Sequence, residues 1–204
     1  MTDPQSAAPA ALVRATALAC RRVGREIFRD IDIEVAAGEA LVLRGPNGSG
    51  KSTLLRLLAG LLEPAAGEFT LAAADDGGPG FHYIGHADPL KPALTVEENL
   101  AFTSALVGRG DVESGLAAFA LGRLADAPAR QLSSGQRRRL TLARLASVPK
   151  PIWLLDEPAV GLDVANRGRL EALITAHRAG GGAVLAATHG DITIADARVL
   201  EFAR

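Results

Sequence analysis

A glycine-rich segment carries the first candidate chemistry. Residues 45–52 read GPNGSGKS and match the spacing G-x-x-x-x-G-K-[ST]. Glycines at this spacing let successive backbone N–H groups face one anion, and the apolar helix LLRLLAGLL predicted after them points its positive end at the same place. Lys51 would reach the β- and γ-phosphates of a nucleotide, and Ser52 would bind Mg²⁺. The candidate nucleotide-binding residues are Gly45, Pro46, Asn47, Gly48, Ser49, Gly50, Lys51, Ser52 and Thr53.

Two carboxylates follow a second apolar segment. Residues Ile152 to Leu155 predict a buried strand, and Asp156 and Glu157 come directly after it. Such a strand end suits Mg-nucleotide hydrolysis, because Asp156 can hold the ion and Glu157 can polarise the attacking water. An ordinary strand end with solvated acids is the alternative. The glycine-rich segment upstream favours the catalytic interpretation, since both motifs belong to one reaction.

Two more motifs are candidates for phosphate contacts. The sequence LSSGQ precedes a predicted helix, so its polar residues lie where free helix N–H groups meet a phosphate. These residues are Ser133, Ser134, Gly135 and Gln136. Thr188 and His189 follow a strand expected beside the Asp156 strand. We therefore expect His189 to donate a hydrogen bond to the γ-phosphate rather than to play a structural role.

A histidine follows the β-rich segment FHYIG. His86 stands there, and an imidazole can accept or donate a hydrogen bond or bind a metal ion. One interpretation is a functional group of the nucleotide site. The other is a polar surface residue in a loop.

The predicted elements alternate between strand and helix, which implies a mostly parallel α/β sheet. A helical insertion is expected at about residues 90–148. Thr95 and Glu98 form a capping box at the start of one of its helices, and another helix is predicted from Ser134 to Ser147. Asp163 is expected to cap a helix that runs to about Ala179. We expect residues 1–10 to be a disordered tail and residues 11–204 to form one domain.

Composition narrows the function classes. The chain has 204 residues, 48% of them hydrophobic, and its 22 basic residues nearly balance 23 acidic ones. No overall basic field favours nucleic acid. The basic run Arg137-Arg138-Arg139 is interpreted as the solvent- or phosphate-facing side of its helix. A single cysteine, Cys20, excludes an intrachain disulfide and fits a reducing compartment. No run of about 18 apolar residues indicates a membrane span.

The glycine-rich segment, LSSGQ, LLDEP, Asp163 and Thr188-His189, in this order, resemble the ATP-binding cassette (ABC) ATPases over residues 12–202. The resemblance implies the P-loop NTPase fold of an ABC nucleotide-binding domain, with a RecA-like core, an antiparallel β subdomain and an inserted helical subdomain. It also implies ATP and Mg²⁺ as ligands. In the family two cassettes enclose two ATP molecules, and the P-loop of one faces the signature serine of the other. A second copy of this chain is therefore expected, with Asp163 in the loop that links the two sites.

Two positions depart from the family pattern. Many cassettes stack adenine on an aromatic residue upstream of the P-loop, whereas this chain reads Cys20-Arg21-Arg22-Val23-Gly24. Arg22 or Val23 is expected to cover the base, and an arginine can stack on a purine. The family usually carries a glutamine after the segment that corresponds to FHYIG. In the family that glutamine contacts Mg²⁺ and the attacking water, and the resemblance implies that His86 replaces it on the γ-phosphate side.

The segments IGHADPLKPALTVEENL, QLSSGQRRRLTLARL and WLLDEP resemble one subfamily, the ATP-binding subunits of cytochrome c maturation haem exporters. This resemblance implies a peripheral ATPase on the cytoplasmic face of the inner membrane, bound to integral permease subunits of a cytochrome c maturation complex. The alternative is the ATPase of another small ABC exporter for drugs, lipids or ions. A soluble ABC protein acting on ribosomes or DNA is disfavoured, because the chain has one cassette and no long coiled coil. A non-catalytic regulator is disfavoured because Lys51, Asp156, Glu157 and His189 are all present.

Overall fold

The structure is a computed structural model that describes residues 11–74 and 78–202. The predicted disordered tail at residues 1–10 lies outside the described residues. Strands in the described ranges are β1 (Ala11–Arg22), β2 (Arg25–Ala36), β3 (Ala40–Arg44), β4 (Ala66–Leu71), β5 (Phe81–Ile84), β6 (Ile152–Asp156), β7 (Ala183–Ala187) and β8 (Arg198–Glu201). The α-helices there are α1 (Lys51–Leu58), α2 (Val96–Val107), α3 (Val112–Ala118), α4 (Ser134–Ser147) and α5 (Val164–Ala179).

A five-stranded parallel sheet in the order β5-β6-β7-β3-β8 confirms the predicted α/β class. Its central strands are apolar along their whole length because both faces are covered. In β6, Trp153 and Leu155 face one hydrophobic cluster, whereas Ile152 and Leu154 face the other. The carboxyl ends of β3, β6 and β7 lie at one edge of this sheet, and each leads directly into a predicted site motif. The predicted pairing of the His189 strand with the Asp156 strand is also confirmed.

A second, antiparallel sheet in the order β2-β1-β4 packs against α1 and the parallel sheet through one of the two clusters. Strands β1 and β2 form a hairpin whose turn places Val23 and Gly24 at positive φ values of 48° and 73°. Two consecutive residues of this kind produce the tight reverse turn typical of two-residue hairpins. These three strands form the antiparallel β subdomain that the family resemblance implies.

Between β5 and β6 the chain forms α2, α3 and α4, with short 3₁₀ turns at Gly122–Leu124 and Ala129–Gln131. Apolar residues of this segment, among them Leu100, Phe119 and Leu140, pack in the same cluster as Trp153 and Leu155 of β6. The helices therefore rest on one face of the parallel sheet. No helix in residues 11–74 and 78–202 is long and apolar enough to cross a membrane.

Side-chain caps fix where α2, α3, α4 and α5 begin, and Asp111 caps α3 through the Ser114 N–H at 3.1 Å. Thr95 accepts a hydrogen bond from the Glu98 N–H at 3.1 Å while the Glu98 carboxylate accepts one from the Thr95 N–H at 2.8 Å, which confirms the predicted capping box. Ser133 and Gln136 form the same arrangement before α4. Asp163 caps α5 through the Asn166 N–H at 2.8 Å. Each cap satisfies N–H groups that have no partner within the first helical turn.

Candidate functional site

The loop from Gly45 to Gly50 bends so tightly that its first residue must be glycine. Gly45 has a φ of 143°, and a Cβ atom there would lie 2.5 Å from the Phe202 carbonyl oxygen and 2.9 Å from Ser49 Oγ. The loop ends at Gly50, which precedes α1 and provides no side-chain cap. The first N–H groups of α1 are therefore left without the side-chain partner that α2, α4 and α5 have. Uncapped N–H groups and the positive end of the helix favour an anion at this place.

This loop lines one side of a cleft of about 470 Å³. The cleft brings together most of the residues proposed from the sequence, although they come from segments more than 100 residues apart. Its lining residues are Arg22, Ile27, Asn47, Gly48, Ser49, Gly50, Lys51, Ser52, Thr53, His86, Glu157, Val160, His189 and Asp191. Gly45 and Pro46 are not among them but contact the cleft lysine through their carbonyl oxygens.

Lys51 is held by the loop that precedes it. Its ammonium group donates hydrogen bonds to the carbonyl oxygens of Gly45 at 2.7 Å and Pro46 at 3.0 Å, and the residue is 6% exposed. A buried ammonium next to uncapped N–H groups makes this end of the cleft electropositive. It is therefore suited to bind the phosphates of a nucleotide.

Ser52 lines the cleft and contacts Asp156, which is not itself a lining residue. The Ser52 hydroxyl donates a hydrogen bond of 2.7 Å to Oδ1 of Asp156, and Asp156 is fully buried. The other carboxylate oxygen, Oδ2, is buried without a hydrogen-bond partner. A buried carboxylate oxygen with no partner is rare, and a divalent cation would satisfy it. In residues 11–74 and 78–202 no cluster of three or more His, Cys, Asp or Glu side chains has metal-binding geometry, so an ion here would need oxygen atoms from a ligand as well.

Glu157 follows Asp156 and has an unusual backbone. Its φ is 48°, in the left-handed region that residues other than glycine rarely occupy, and its N–H donates to the Ala187 carbonyl of β7 at 2.9 Å. Oε1 of Glu157 lies 3.2 Å from Nε2 of His189. Burial raises the pKa of the Glu157 carboxyl above its ordinary value, while the nearby imidazole acts in the opposite direction. A carboxyl of raised pKa in a cleft is suited to accept a proton.

Of three further residues predicted from the sequence, two line the cleft and one does not. His86 lies in the loop after β5, is exposed and lines the cleft, where it shares the lining with Ser52 and Glu157. Arg22 also lines the cleft from the end of β1. Val23 stands fully exposed at the tip of the β1–β2 turn and is not a lining residue. Of the two residues proposed to cover a base, the geometry favours Arg22.

The LSSGQ residues lie elsewhere. Ser133, Gly135 and Gln136 line a separate groove of about 210 Å³, together with Arg139, Gly161, Leu162, Asp163 and Asn166. The groove and the cleft share no lining residue. A Cβ atom at Gly135 would lie 3.2 Å from the Gly161 carbonyl oxygen, so α4 and the loop after β6 approach closely here. One chain therefore does not bring its signature residues to its own glycine-rich loop.

Asp163 joins these two regions in sequence and in space. It caps α5 at the edge of the groove, only a few residues after Glu157 and Val160 of the cleft. Its carboxylate accepts hydrogen bonds from the Asn166 backbone N–H and side-chain amide, and the backbone bond contributes most to the lowering of its pKa.

The structure corrects the interpretation of the arginine run on α4. Arg139 lines the groove, but Arg138 is neither solvent-facing nor phosphate-facing: it is 5% exposed. Its guanidinium donates to the carbonyl oxygens of Gly85 at 2.8 Å and Glu157 at 2.8 Å. Adjacent residues of a helix point about 100° apart, so one of three consecutive arginines can be buried while its neighbours are not. The sequence alone does not show which one is buried.

Three lining residues were not predicted from the sequence. Ile27 of β2 supplies an apolar surface next to Arg22, and Val160 lies three residues beyond Glu157. Asp191 follows His189 by two residues, and this short spacing is the only feature of the sequence that could have indicated its place in the cleft. Ile27 had no such signal, because an isoleucine in a strand is typical of a core residue and nothing in its type indicates a ligand contact.

These features have close parallels in known proteins. The family described as "ABC transporter" matches residues 28–160, which include the glycine-rich loop, LSSGQ and the Asp156-Glu157 pair. A solved structure described as the ATP binding subunit of an ABC transporter superposes with a TM-score of 0.77 at 26% sequence identity, and the match covers 88% of this chain and 80% of that chain. A putative ABC transporter ATP-binding protein from Pyrococcus furiosus, at 22% identity, has the same fold with a TM-score of 0.77 over 93% of this chain and 96% of its own. Fold and site thus define the class of ABC transporter ATP-binding subunits.

Curated relatives narrow the class. A protein of Rhodospirillum rubrum is 53% identical over 191 residues, which are 90% of this chain and 82% of the relative. A protein of Nitrobacter winogradskyi is 49% identical over 186 residues, which are 87% of this chain and 92% of the relative. Both are named cytochrome c biogenesis ATP-binding export protein CcmA. The chain belongs to this CcmA family of ABC transporter ATP-binding proteins.

Proposed function

We propose that the chain is the ATP-hydrolysing subunit of an ABC transporter complex that handles haem for c-type cytochrome biogenesis. The observation that carries the catalytic part is the cleft in which a phosphate-binding loop faces Glu157 and His189. The haem part is supported by the names of relatives about 50% identical over most of the chain. The reaction is the hydrolysis of ATP to ADP and phosphate.

The glycine-rich loop holds the triphosphate. The N–H groups at the start of α1 donate to phosphate oxygens, and Lys51 exchanges its bonds to the Gly45 and Pro46 carbonyls for bonds to the β- and γ-phosphates. The carbonyl bonds keep the ammonium group in the cleft before a nucleotide arrives, so little rearrangement is needed. Arg22 covers the adenine ring by stacking its guanidinium plane on the purine.

Ser52 and Asp156 fit Mg²⁺, since hydroxyl and carboxylate oxygens are the ligands that the ion prefers and Oδ2 of Asp156 has no other partner. Bound there, the ion would neutralise charge on the β- and γ-phosphates. Ser52 would hold the ion through its hydroxyl oxygen, and Asp156 through the carboxylate oxygen that has no other partner. His86 lines the same cleft, where its imidazole would contact the ion or the attacking water on the γ-phosphate side.

Glu157 acts as the general base. It accepts a proton from a water molecule whose oxygen attacks the γ-phosphorus, while the bond between the γ-phosphorus and the bridging oxygen to the β-phosphate breaks. The raised pKa of this carboxyl makes it a better proton acceptor than a solvated glutamate. His189, whose Nε2 lies 3.2 Å from Oε1 of Glu157, orients the carboxylate before ATP binds and turns its N–H to the γ-phosphate once the nucleotide is in place.

A second copy of the chain completes each site. Within one chain the Ser133–Gln136 groove lies apart from the cleft, so the serine hydroxyls and the Ser134 and Gly135 N–H groups, which take no part in the capping contacts of α4, can donate to the ATP held by another copy. A symmetric dimer would use the groove of each copy against the cleft of the other, with Asp163 at the crossing between the two sites. Closure on ATP and opening after hydrolysis provide the movement.

That movement would act on integral membrane subunits. The dimer would sit on the cytoplasmic face of the inner membrane as a peripheral assembly, bound to permease subunits of a cytochrome c maturation complex and not to nucleic acid. The alternative is the ATPase of another small ABC exporter.

Purification of the tagged chain from membranes in mild detergent tests the assignment. Co-purification of cytochrome c assembly proteins, retained by Glu157→Gln in ATP, is the expected result. Recovery of an unrelated permease would favour the alternative, and recovery of ribosomes would reject both.

A further inference from the structure

The buried guanidinium of Arg138 contacts both loops that carry proposed catalytic residues, the loop after β5 and the loop after β6. Nη1 donates to the Gly85 carbonyl at 2.8 Å and lies 3.4 Å from Oδ1 of Asp88. Nη2 donates to the Glu157 carbonyl at 2.8 Å, and Nε donates to the Pro158 carbonyl at 3.1 Å. A planar group with donors in fixed directions can hold several backbone acceptors at once, which a lysine cannot do.

The first pair of contacts encloses His86. Gly85 precedes the histidine and Asp88 follows it by two residues, so one guanidinium nitrogen holds the loop on both sides of the imidazole. His86 itself is exposed and points into the cleft. The loop has no regular secondary structure between residues 85 and 94 that would otherwise fix this position.

The second pair of contacts lies at the start of the loop after β6. Glu157 and Pro158 expose their carbonyl oxygens to Arg138, and Glu157 has the left-handed backbone described above. A strained residue keeps its conformation only where its surroundings determine it. The Arg138 bond on one side and the Ala187 bond on the other supply that constraint.

The far end of the His86 loop is fixed separately. The side-chain amide of Asn99 in α2 donates to the carbonyls of Lys91 at 3.1 Å and Thr95 at 2.8 Å, and its oxygen accepts from the Lys91 N–H at 2.8 Å. The loop is therefore held between α2 at one end and Arg138 of α4 at the other.

We propose that Arg138 is a positioning residue for ATP hydrolysis: it holds the His86 loop and the Glu157 backbone to α4, the helix whose first turn carries the signature. This inference rests on the proposed function. When a second copy docks on Ser133–Gln136, any shift of α4 moves both side chains together. The LSSGQ segment of one copy thus contacts the nucleotide of the partner copy. Through Arg138 it also controls the alignment of the catalytic groups in its own cleft.

The test compares Arg138→Met with Arg144→Met in the assembled complex. Arg144 lies on the same helix, is largely buried, and has an Nε without a hydrogen-bond partner in the described ranges, so its loss reports the cost of removing a helix arginine alone. Two quantities are measured, steady-state ATP turnover and hydrogen exchange of segments 85–91 and 157–160. Exchange does not depend on activity.

We expect Arg138→Met to lower kcat by roughly 10- to 100-fold with KM for ATP changed by less than about 3-fold, because misplaced catalytic groups affect chemistry more than phosphate binding. Hydrogen exchange should rise in both segments in Arg138→Met and in neither segment in Arg144→Met. Arg138→Lys should give an intermediate kcat. Combining Arg138→Met with His86→Ala should cost less than the product of the two single effects, since both act through the same imidazole.

Unchanged kcat or unchanged exchange in the two segments would overturn the proposal. So would a loss of kcat equal to that of Arg144→Met. If Arg138→Met does not fold, Asp88→Asn decides the matter, because it removes only the ion pair at a partly exposed side chain. It should raise exchange at 85–91 and lower kcat about 3-fold, and no change in either would count against the role. Absence of ATP turnover in the parent complex would reject the proposed function instead, and the exchange comparison would still test whether Arg138 holds the two loops.

Discussion

Nε2 of His189 lies 3.2 Å from Oε1 of Glu157, although the two residues are 32 positions apart in the chain and follow two different strands. Their strands, β7 and β6, are paired in parallel, which brings the two carboxyl ends to the same edge of the sheet. The pair faces the glycine-rich loop across the cleft. On the proposed function, this relationship places a proton acceptor and its orienting group on the side where a γ-phosphate would lie.

Glu157→Gln should slow ATP hydrolysis by roughly 100- to 10,000-fold while ATP binding persists, since only the proton acceptor is lost. Phosphate release and ATP affinity, measured side by side, test this. Hydrolysis at the parent rate would contradict the assignment of the base.

The same variant has a stability signature. Burial raises the pKa of the Glu157 carboxyl above its ordinary 4.5, so the folded state disfavours the ionised form. That cost is absent at low pH and develops as the pH rises through the unfolded and then the folded pKa. The free energy of unfolding of Glu157→Gln relative to the parent should therefore increase from pH 4 towards neutral pH, in denaturant titrations at several pH values. A difference independent of pH would contradict the raised pKa.

Lys51→Ala should weaken ATP binding roughly 100-fold, because a charge-assisted contact to the phosphates is lost. Lys91→Ala is the matched control. Its ammonium lies 4.3 Å from the centre of the Phe102 ring, outside the cleft. Fluorescent-nucleotide titration measures both variants. Equal affinities would show that the loop lysine does not bind the phosphates.

His86→Ala should lower ATP turnover in the assembled complex about 10-fold with nucleotide affinity retained, because the imidazole acts on the γ-phosphate side and not on the whole triphosphate. His86→Gln should recover part of the rate, since an amide can make the same hydrogen bonds. An unchanged rate in His86→Ala would leave the residue as a polar loop residue.

Two other histidines predict how stability depends on pH. His82 donates to the Val148 carbonyl at 2.7 Å, and His177 stacks on Trp153 with ring centroids 3.8 Å apart. Burial lowers the pKa of each to about 4, and for His82 the cations Arg144 and Lys150 act in the same direction. Both are therefore neutral in the folded state at pH values where the unfolded chain is already protonated.

Their contribution to stability is highest above about pH 6.5, where both histidines are neutral in the folded and the unfolded chain. As the pH falls from there towards about 4, the free energy of unfolding decreases by up to about 1.4 kcal/mol per pH unit for each histidine. His177→Phe keeps an aromatic ring against Trp153 but cannot titrate, so its free energy of unfolding should fall less steeply over this range. Chemical denaturation at intervals between pH 7 and pH 4 measures the slopes. Parallel curves for the variant and the parent would contradict the lowered pKa.

Local signals explain why most element boundaries were predictable. Thr95 with Glu98, Ser133 with Gln136, and Asp163 each make their capping contacts within three residues, so the sequence alone contains both partners. The same holds for the glycine-rich loop, whose lysine bonds to carbonyls five and six residues before it. The parallel sheet followed from apolar strands alternating with helices.

Features that depend on distant partners were missed. Strand β1 shows shifts in its pairing with β2 between Ala15 and Leu18, and Ala17 has a positive φ, so its side chains do not alternate cleanly. Arg138 finds its acceptors 19 and 53 residues away, and nothing in an arginine run distinguishes such a residue from its neighbours. Ile27 enters the cleft only because the antiparallel sheet packs against the P-loop.

The central claim is that the cleft of one copy works with the groove of another, and complementation between two inactive variants tests it most directly. Lys51→Ala disables the cleft. Ser134→Glu places an exposed negative charge where the partner's phosphates would approach, and an acid in the first helical turn does not weaken α4. Each variant alone should be inactive as a homodimer.

Co-expressed with two tags, the variants form mixed dimers in which one site has both an intact cleft and an intact groove. Random pairing makes half of the dimers mixed, so ATP turnover should recover to about one quarter of the parent value. Purified mixed dimers should reach about one half. Mixed dimers as inactive as the two homodimers, or full activity of Ser134→Glu alone, would contradict the shared site.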